Sequence, residues 1–239
     1  MATEIFQNLG RLFRRDKKDT DLGAEGGYAP YMDSHEQAFD YIMSAIKESG
    51  YKAGGDIHLG LDVAASELYH PDSKMYHLEL DQTDYTSEEF MEFLLQTMKK
   101  YPILAIEDPL DEDDWATWVK MTAVATKINP QISLIGDDIF VTNIKRFQQG
   151  IDKSVANSIL VKPNQIGTLS ETLACIRLAK ANNYQVAISH RSGETIDSFI
   201  SDLTVGVGAE FIKAGSMARG ERTAKYNRLL NIETELYGG

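Results

Sequence analysis

Ile103-Leu104-Ala105-Ile106-Glu107 is a short apolar run that stops on an acid, and this pattern recurs along the chain. Such a run, bounded by turn residues, reads as a buried strand. Residues 113–126 follow with apolar positions at helical spacing, and 132–135 is the next strand, stopping just before Gly136-Asp137. Then come a helix capped by Thr142 or Asn143 and ended by Gly150, a strand over 158–161 and a helix over 168–182. Further on, 185–189 is a strand, 195–205 a helix, 210–212 a strand and 219–236 a helix. In the other direction, 57–62 is a strand, 71–74 a turn and 75–80 a short extra strand. Thr86 with Glu89 forms a capping box before the next helix, and Ser34 with Gln37 forms another, opening a helix that stops at Gly50. Ile5, Phe6, Leu9, Leu12 and Phe13 recur at helical spacing, so 3–14 is a helix.

Strands alternating with helices imply βα units and a parallel sheet, either doubly wound or closed as a barrel. No Gly-rich nucleotide turn follows any strand, against a dinucleotide fold. Almost every strand ends in a chargeable residue: Asp62, Glu107, Asp137, Lys162, His190 and Lys213. In a βα-barrel all strand carboxyl ends share one face, so these side chains are expected to converge. Read singly, each is a solvated loop charge; six in phase are hard to assign to chance. The expected fold is α/β, an incomplete TIM-type βα-barrel. Six strands and a weak candidate over 22–25 give about six or seven of the eight that closure needs, leaving sheet edges unpaired. The expected division is an N-terminal helix and loop over 1–20 and the barrel portion over 21–239.

The 239 residues are 43% hydrophobic and 25% charged, an ordinary globular balance. A net charge of -12 argues against a nucleic-acid partner, because phosphates would be repelled. The single cysteine, Cys175, lies in an apolar helical pattern and reads as core packing; it can form no internal disulfide, which fits a reducing compartment. No apolar run approaches the roughly 20 residues needed to span a bilayer. Residues 1–16 lack the apolar core of a secretory signal.

Asp62, Glu107 and Asp137 end three successive strands, and neighbouring parallel strands lie about 4.8 Å apart. Their carboxylates could meet around one small hard cation. Oxygen ligands without Cys or His suit magnesium better than zinc. The alternative is three helix N-cap acids. Lys162, His190 and Lys213 end the following strands. A lysine in a closed pocket beside other cations can serve as a general base near neutral pH. Arg191 and Ser192 offer donors suited to a phosphate or carboxylate. Anionic metal-binding groups on one side and cationic groups on the other fit a small, multiply anionic substrate bridged to a metal.

Seven motifs, in order and spacing, resemble those of the enolases. They are Gly26-Gly27-Tyr28-Ala29-Pro30, Leu61-Asp62-Val63-Ala64-Ala65-Ser66-Glu67, Ile106-Glu107-Asp108-Pro109, Ile135-Gly136-Asp137-Asp138, Val161-Lys162-Pro163-Asn164-Gln165-Ile166-Gly167-Thr168, Ser189-His190-Arg191-Ser192-Gly193-Glu194-Thr195, and Ile212-Lys213-Ala214-Gly215 with Glu221-Arg222-Thr223-Ala224-Lys225-Tyr226-Asn227. The resemblance covers nearly the whole chain, and the 189–195 stretch is the most specific. It implies reversible, magnesium-dependent dehydration of 2-phosphoglycerate to phosphoenolpyruvate, a glycolytic lyase step in the cytoplasm, with a cell-surface or secreted pool also known in that family. By that resemblance Lys162 removes the carbon-2 proton and Glu25 assists departure of the carbon-3 hydroxyl. Asp62, Glu107 and Asp137 hold magnesium, Arg191 and Ser192 hold the phosphate, and His190 and Lys213 line the substrate.

Departures from the family pattern bear on these expectations. Ala24 stands where an acid is usual beside Glu25, Gly220 replaces a serine before Glu221-Arg222, and Ala214 stands where threonine is common. The family's N-terminal domain, with its lid and first barrel strands, has no counterpart in these residues. The resemblance therefore implies weak or no dehydratase activity for this chain alone, with a homodimer or a complementing N-terminal polypeptide as partner. The alternatives are a non-catalytic remnant that acts as a binding or interaction protein, or another acid-sugar dehydratase, whose relatives lack the 189–195 stretch.

Overall fold

The structure, a computed structural model, describes residues 1–238; Gly239, the last residue of the expected barrel portion, lies outside the described residues. In chain order the elements are α1 (Ala2–Arg15), α2 (His35–Glu48), β1 (Leu59–Asp62), α3 (Ala65–Leu68), β2 (Tyr69–His70), β3 (Met75–Leu78) and β4 (Thr83–Tyr85). They continue with α4 (Ser87–Lys100), β5 (Ile103–Glu107), α5 (Trp115–Ile128), β6 (Ser133–Gly136), α6 (Ile144–Lys153), β7 (Ser158–Val161) and α7 (Pro163–Ile166). Last come α8 (Leu169–Ala181), β8 (Gln185–Ser189), α9 (Phe199–Val207), β9 (Phe211–Lys213) and α10 (Gly220–Tyr237). Six strands form one parallel sheet in the order β1-β5-β6-β7-β8-β9, the incomplete barrel sheet expected from the alternating pattern. No helix among the described residues is long and apolar enough to cross a membrane.

The chain divides into two compact units, and the boundary runs through β8. Ala53–Val186 is one unit. Its strands β6 and β7 are buried at every residue, as a parallel sheet covered by helices requires. Trp118, Met121 and Ala125 form the inner stripe of α5, and Phe147 does the same for α6. Thr86 caps α4 through the expected reciprocal box with Glu89. Cys175 is buried inside α8, and burial pushes its thiol up to about 11, so it packs rather than reacts.

Met1–Lys52, together with the chain from Ala187 onward, is the other unit. Here α1 lies against α2 and buries Leu12 and Phe13. Tyr28 stacks on Phe6 at 4.5 Å and meets Phe13 edge-on at 5.6 Å. Gly10 makes that possible, because a Cβ there would stand 2.2 Å from the Tyr28 hydroxyl. The segment after α1, which carries Glu25, is thereby pinned to the helix.

Several expectations need correction. The weak strand over 22–25 is a single bridge between Leu22 and Tyr28. Gly150 does not end its helix; α6 runs on to Lys153 and closes at Ser154, whose φ of 58° is left-handed. Gly150 is instead where the Phe140 ring lies against the helix. The helix expected from 195 starts only at Phe199, because the residues before it form a hydrogen-bonded loop. Strand 75–80 is the middle of a three-stranded antiparallel sheet, β2-β3-β4, whose partners are too short to show a period.

Candidate active site

In the unit 53–186, strand register places the acids. Asp62 pairs with Glu107 at the ends of β1 and β5, and Glu107 pairs with Ile135, two residues before Asp137. Two residues along a strand return to the same face. Asp62 is exposed, whereas Glu107 and Asp137 are 5% and 6% exposed. The turn after β6 is tightly made: the N–H groups of Phe140 and Val141 both donate to the Asp137 carbonyl, at 3.0 and 2.7 Å. Lys162 follows β7, and its ammonium donates to the Asp137 carboxylate. Its own N–H donates to the Thr142 hydroxyl at 3.0 Å, which in turn donates to Gln165. Base candidate and metal-ligand candidate are thus already in contact.

Asp108 is the residue that sequence reasoning quoted in a motif but gave no role. Its backbone is left-handed, with φ 41°. Its two carboxylate oxygens accept the N–H groups of Asp137 at 2.9 Å and Asp138 at 2.8 Å. Burial pushes the Asp108 carboxyl well above the ordinary carboxylate range; the charges of Asp137 and Asp138 add to that, and the two N–H donors oppose it. Oxygens of Asp108, Asp137 and Asp138 lie within 4.8 Å of one another. Because both Asp108 oxygens are engaged by backbone, Asp108 builds the turn that presents Asp137. The donor set around Asp137 is hard carboxylate oxygen, which suits magnesium chemistry.

The other unit holds the remaining candidates. β8 and β9 pair Ser189 with Lys213, and the His190 N–H donates to the Lys213 carbonyl at 2.9 Å. Glu25 comes from the loop pinned by Tyr28. Its carbonyl accepts the Ser216 N–H at 2.9 Å, and its Oε1 accepts the Ser192 hydroxyl at 2.9 Å. Its Oε2 stands 3.2 Å from His190 Nε2, close enough for an ion contact but not aligned as a hydrogen bond. Burial raises the Glu25 carboxyl, but the Ser192 hydrogen bond and the charges of His190, Lys213 and Arg222 outweigh it, leaving it below its ordinary value. His190 is 3% exposed; burial holds its imidazole below the usual value, Glu25 opposes that, and Arg222 and Lys213 reinforce it. Arg191 and Ser192 are exposed, as a ligand-facing pair would be, and the Arg191 N–H donates to Glu194 at 3.3 Å.

Two buried cations on α10 went unassigned in the sequence. Arg222 and Lys225 are each 1% exposed. Arg222 donates to the Ala24, Arg191 and Ser192 carbonyls and meets His190, while Lys225 donates to the Thr195 and Glu221 carbonyls. Their spacing of three residues puts both on one helix face, and both fall within the quoted 221–227 motif, the two signals that could have found them.

Parallel strands that finish on acids, a lysine and a histidine define a βα-repeat protein built to present polar side chains at strand carboxyl ends. The chain belongs to the enolase family, matching the enolase C-terminal TIM barrel domain over residues 1–238. It is 48% identical over 238 residues to the enolase of Sulfurimonas denitrificans, covering 100% of this chain and 55% of that protein. The same identity and coverage hold for the enolase of Natranaerobius thermophilus. The chain therefore spans about half the length of these curated relatives.

Proposed function

We propose that this chain carries the reversible dehydration of 2-phosphoglycerate to phosphoenolpyruvate, a glycolytic step of the cytoplasm, with magnesium as cofactor. The observation that carries the reading is the contact between Lys162 and Asp137 at the ends of adjacent strands, in a family of enolases. Asp62, Glu107 and Asp137 would hold magnesium, which when bound supplies positive charge against the substrate carboxylate. With Asp137 serving as a ligand, the Lys162 amine would be left to face the substrate. Lys162, as the neutral amine, takes the proton from carbon 2 and becomes the ammonium. The electron pair left behind becomes the carbon-2 to carbon-3 double bond as the carbon-3 to oxygen bond breaks. The hydroxyl leaves as water with a second proton delivered by Glu25, whose carboxylate, held below its ordinary value, takes up that proton from solvent before it can give it. Glu25 has Ser192 and His190 beside its two oxygens, a polar frame that holds the carboxyl in place. Arg191 and Ser192 bind the phosphate, and His190 and Lys213 line the substrate. Glu25 and Lys162 lie in different units, and their pairing in one reaction comes from the family resemblance.

The test is the purified chain with magnesium and 2-phosphoglycerate, followed by phosphoenolpyruvate absorbance and by exchange of the carbon-2 proton with deuterated solvent. Lys162→Met should lower both signals by about 100-fold or more, the usual size of a general-base contribution. A folded wild-type chain that neither exchanges nor dehydrates would overturn the proposal and favour a binding role.

A further inference from the structure

Arg222 is a buried charge that the proposed reaction does not use, yet it touches both segments that carry the Glu25 and His190 chemistry. Nη1 lies 2.6 Å from His190 Nδ1 and donates to the Arg191 carbonyl at 2.8 Å. Nη2 donates to the Ala24 carbonyl at 3.0 Å and the Ser192 carbonyl at 2.7 Å. Those three carbonyls belong to residues adjoining Glu25 or His190, or one further on. One guanidinium therefore ties the acid loop to the histidine loop. The space is kept for it: Gly215 has φ 84°, and a Cβ there would stand 2.6 Å from Arg222 Cδ and 2.8 Å from the Glu25 carbonyl.

The contact with His190 also decides where that ring carries its proton. A guanidinium has five N–H donors, no lone pair to offer, and stays protonated in proteins. At 2.6 Å from it, Nδ1 can only be the acceptor. A ring with Nδ1 as acceptor carries its single proton on Nε2. That Nε2 is buried, makes no aligned hydrogen bond in the structure, and lies 3.2 Å from Glu25 Oε2.

We propose that Arg222 is a positioning residue that fixes His190 in the tautomer with its proton on Nε2 and aims this donor at the Glu25 carboxylate. The consequence for catalysis rests on the dehydratase proposal, whereas the tautomer itself does not. Protonating Nδ1 would drive it against the guanidinium, so His190 resists charging while Arg222 is present. The other charges acting on the ring are Glu25 from the loop after α1, Lys213 from β9 and Glu194 from the loop after β8.

The experiment is multiple-bond proton–nitrogen NMR of the five histidine rings of the ¹⁵N-labelled chain, without metal or substrate, across a pH series. His190→Gln assigns the His190 signals. The wild-type ring is expected as the Nε2–H tautomer, still neutral where ordinary histidines have charged. Arg222→Met is expected to raise the proton affinity of His190 by about tenfold or more, since it removes a cation and frees Nδ1 while Glu25 remains. A wild-type ring protonated on Nδ1, or a midpoint unchanged in Arg222→Met, would overturn the proposal. Should that variant fail to fold, the wild-type tautomer alone decides. The outcome is separable from the enzyme assay: a chain that makes phosphoenolpyruvate with an Nδ1–H ring sinks only this inference. A chain with the expected ring and no exchange or turnover sinks only the dehydratase proposal.

Discussion

Gly150→Ala sets two known effects against each other. Inside α6, helix propensity favours alanine over glycine by about 1 kcal/mol. The added Cβ, however, would stand 2.3 Å from Phe140 Cε1 and 2.8 Å from Cζ. Phe140 has nowhere to go. It is 0% exposed, meets Phe147 edge-on at 5.0 Å, and lies 2.5 Å from where a Cβ on Gly136 would stand. Forcing atoms into a filled core costs about 1–3 kcal/mol, and a rigid ring puts this site toward the upper end. The net expectation is a loss of about 1–2 kcal/mol, or roughly 2–8 °C in Tm at 239 residues. Thermal unfolding followed by circular dichroism measures it. Phe140→Leu in the Gly150→Ala background should restore part of the loss, giving a coupling of at least about 0.5 kcal/mol. Because the Phe140 N–H donates to the Asp137 carbonyl, the single variant should also show a weaker stabilisation by magnesium. A Tm above wild type for Gly150→Ala alone would refute the reasoning, since propensity would then have won and the ring given way.

Asp108→Ala strands the N–H groups of Asp137 and Asp138, at about 1–3 kcal/mol each, so urea unfolding should show a loss of roughly 2–6 kcal/mol. Asp108→Asn keeps one acceptor and should lose less; equal losses would contradict the turn-building role. Ser192→Ala removes the hydrogen bond that lowers the Glu25 carboxyl, so the Glu25 midpoint, read by carboxyl ¹³C NMR, should rise. No movement would mean that the neighbouring cations alone set it. His190 has a folded-state proton affinity below its unfolded value, so the unfolded chain binds the extra proton. Stability should therefore fall as pH drops below about 6.5, and His190→Gln should flatten that part of the urea midpoint curve. A slope unchanged by the substitution would assign it to other groups.

The fold was legible where the chain repeats a simple physical pattern. Apolar runs such as Ile103 to Ile106 and Ser158 to Val161 are strands because both faces are covered, and each ends where its polar residue meets the sheet rim. The capping residues Thr86 and Thr168 mark helix starts for the same local reason. Legibility failed where the deciding partner is distant. Gly150 reads as a helix stop from its own neighbours, but the ring that requires it comes from Phe140, on the preceding loop. Thr195 offers a plausible cap, yet its carbonyl is held by Lys225, thirty residues on, and the helix waits until Phe199. Of the candidate site, the placement of the polar residues at strand ends was legible by phase alone. Asp108 and Arg222 were not, because their roles are to hold backbone groups of other segments, which leaves no local period in the sequence.

That division has a physical basis. A buried cation or carboxylate is tolerable only when its hydrogen bonds are met, so burial and positioning arrive together. Arg222 and Lys225 are 1% exposed and spend their donors on carbonyls of the 190–195 loop and nearby backbone, whereas Arg191 and Ser192 on that loop stay exposed. The loop can keep these two side chains at the surface because buried donors hold its backbone from beneath. A lysine at 222 would keep the charge but lose the fork that reaches several acceptors at once. Arg222→Lys should therefore behave closer to Arg222→Met than to wild type in the His190 titration, and a lysine variant indistinguishable from wild type would show that charge, not planar geometry, is what the ring requires.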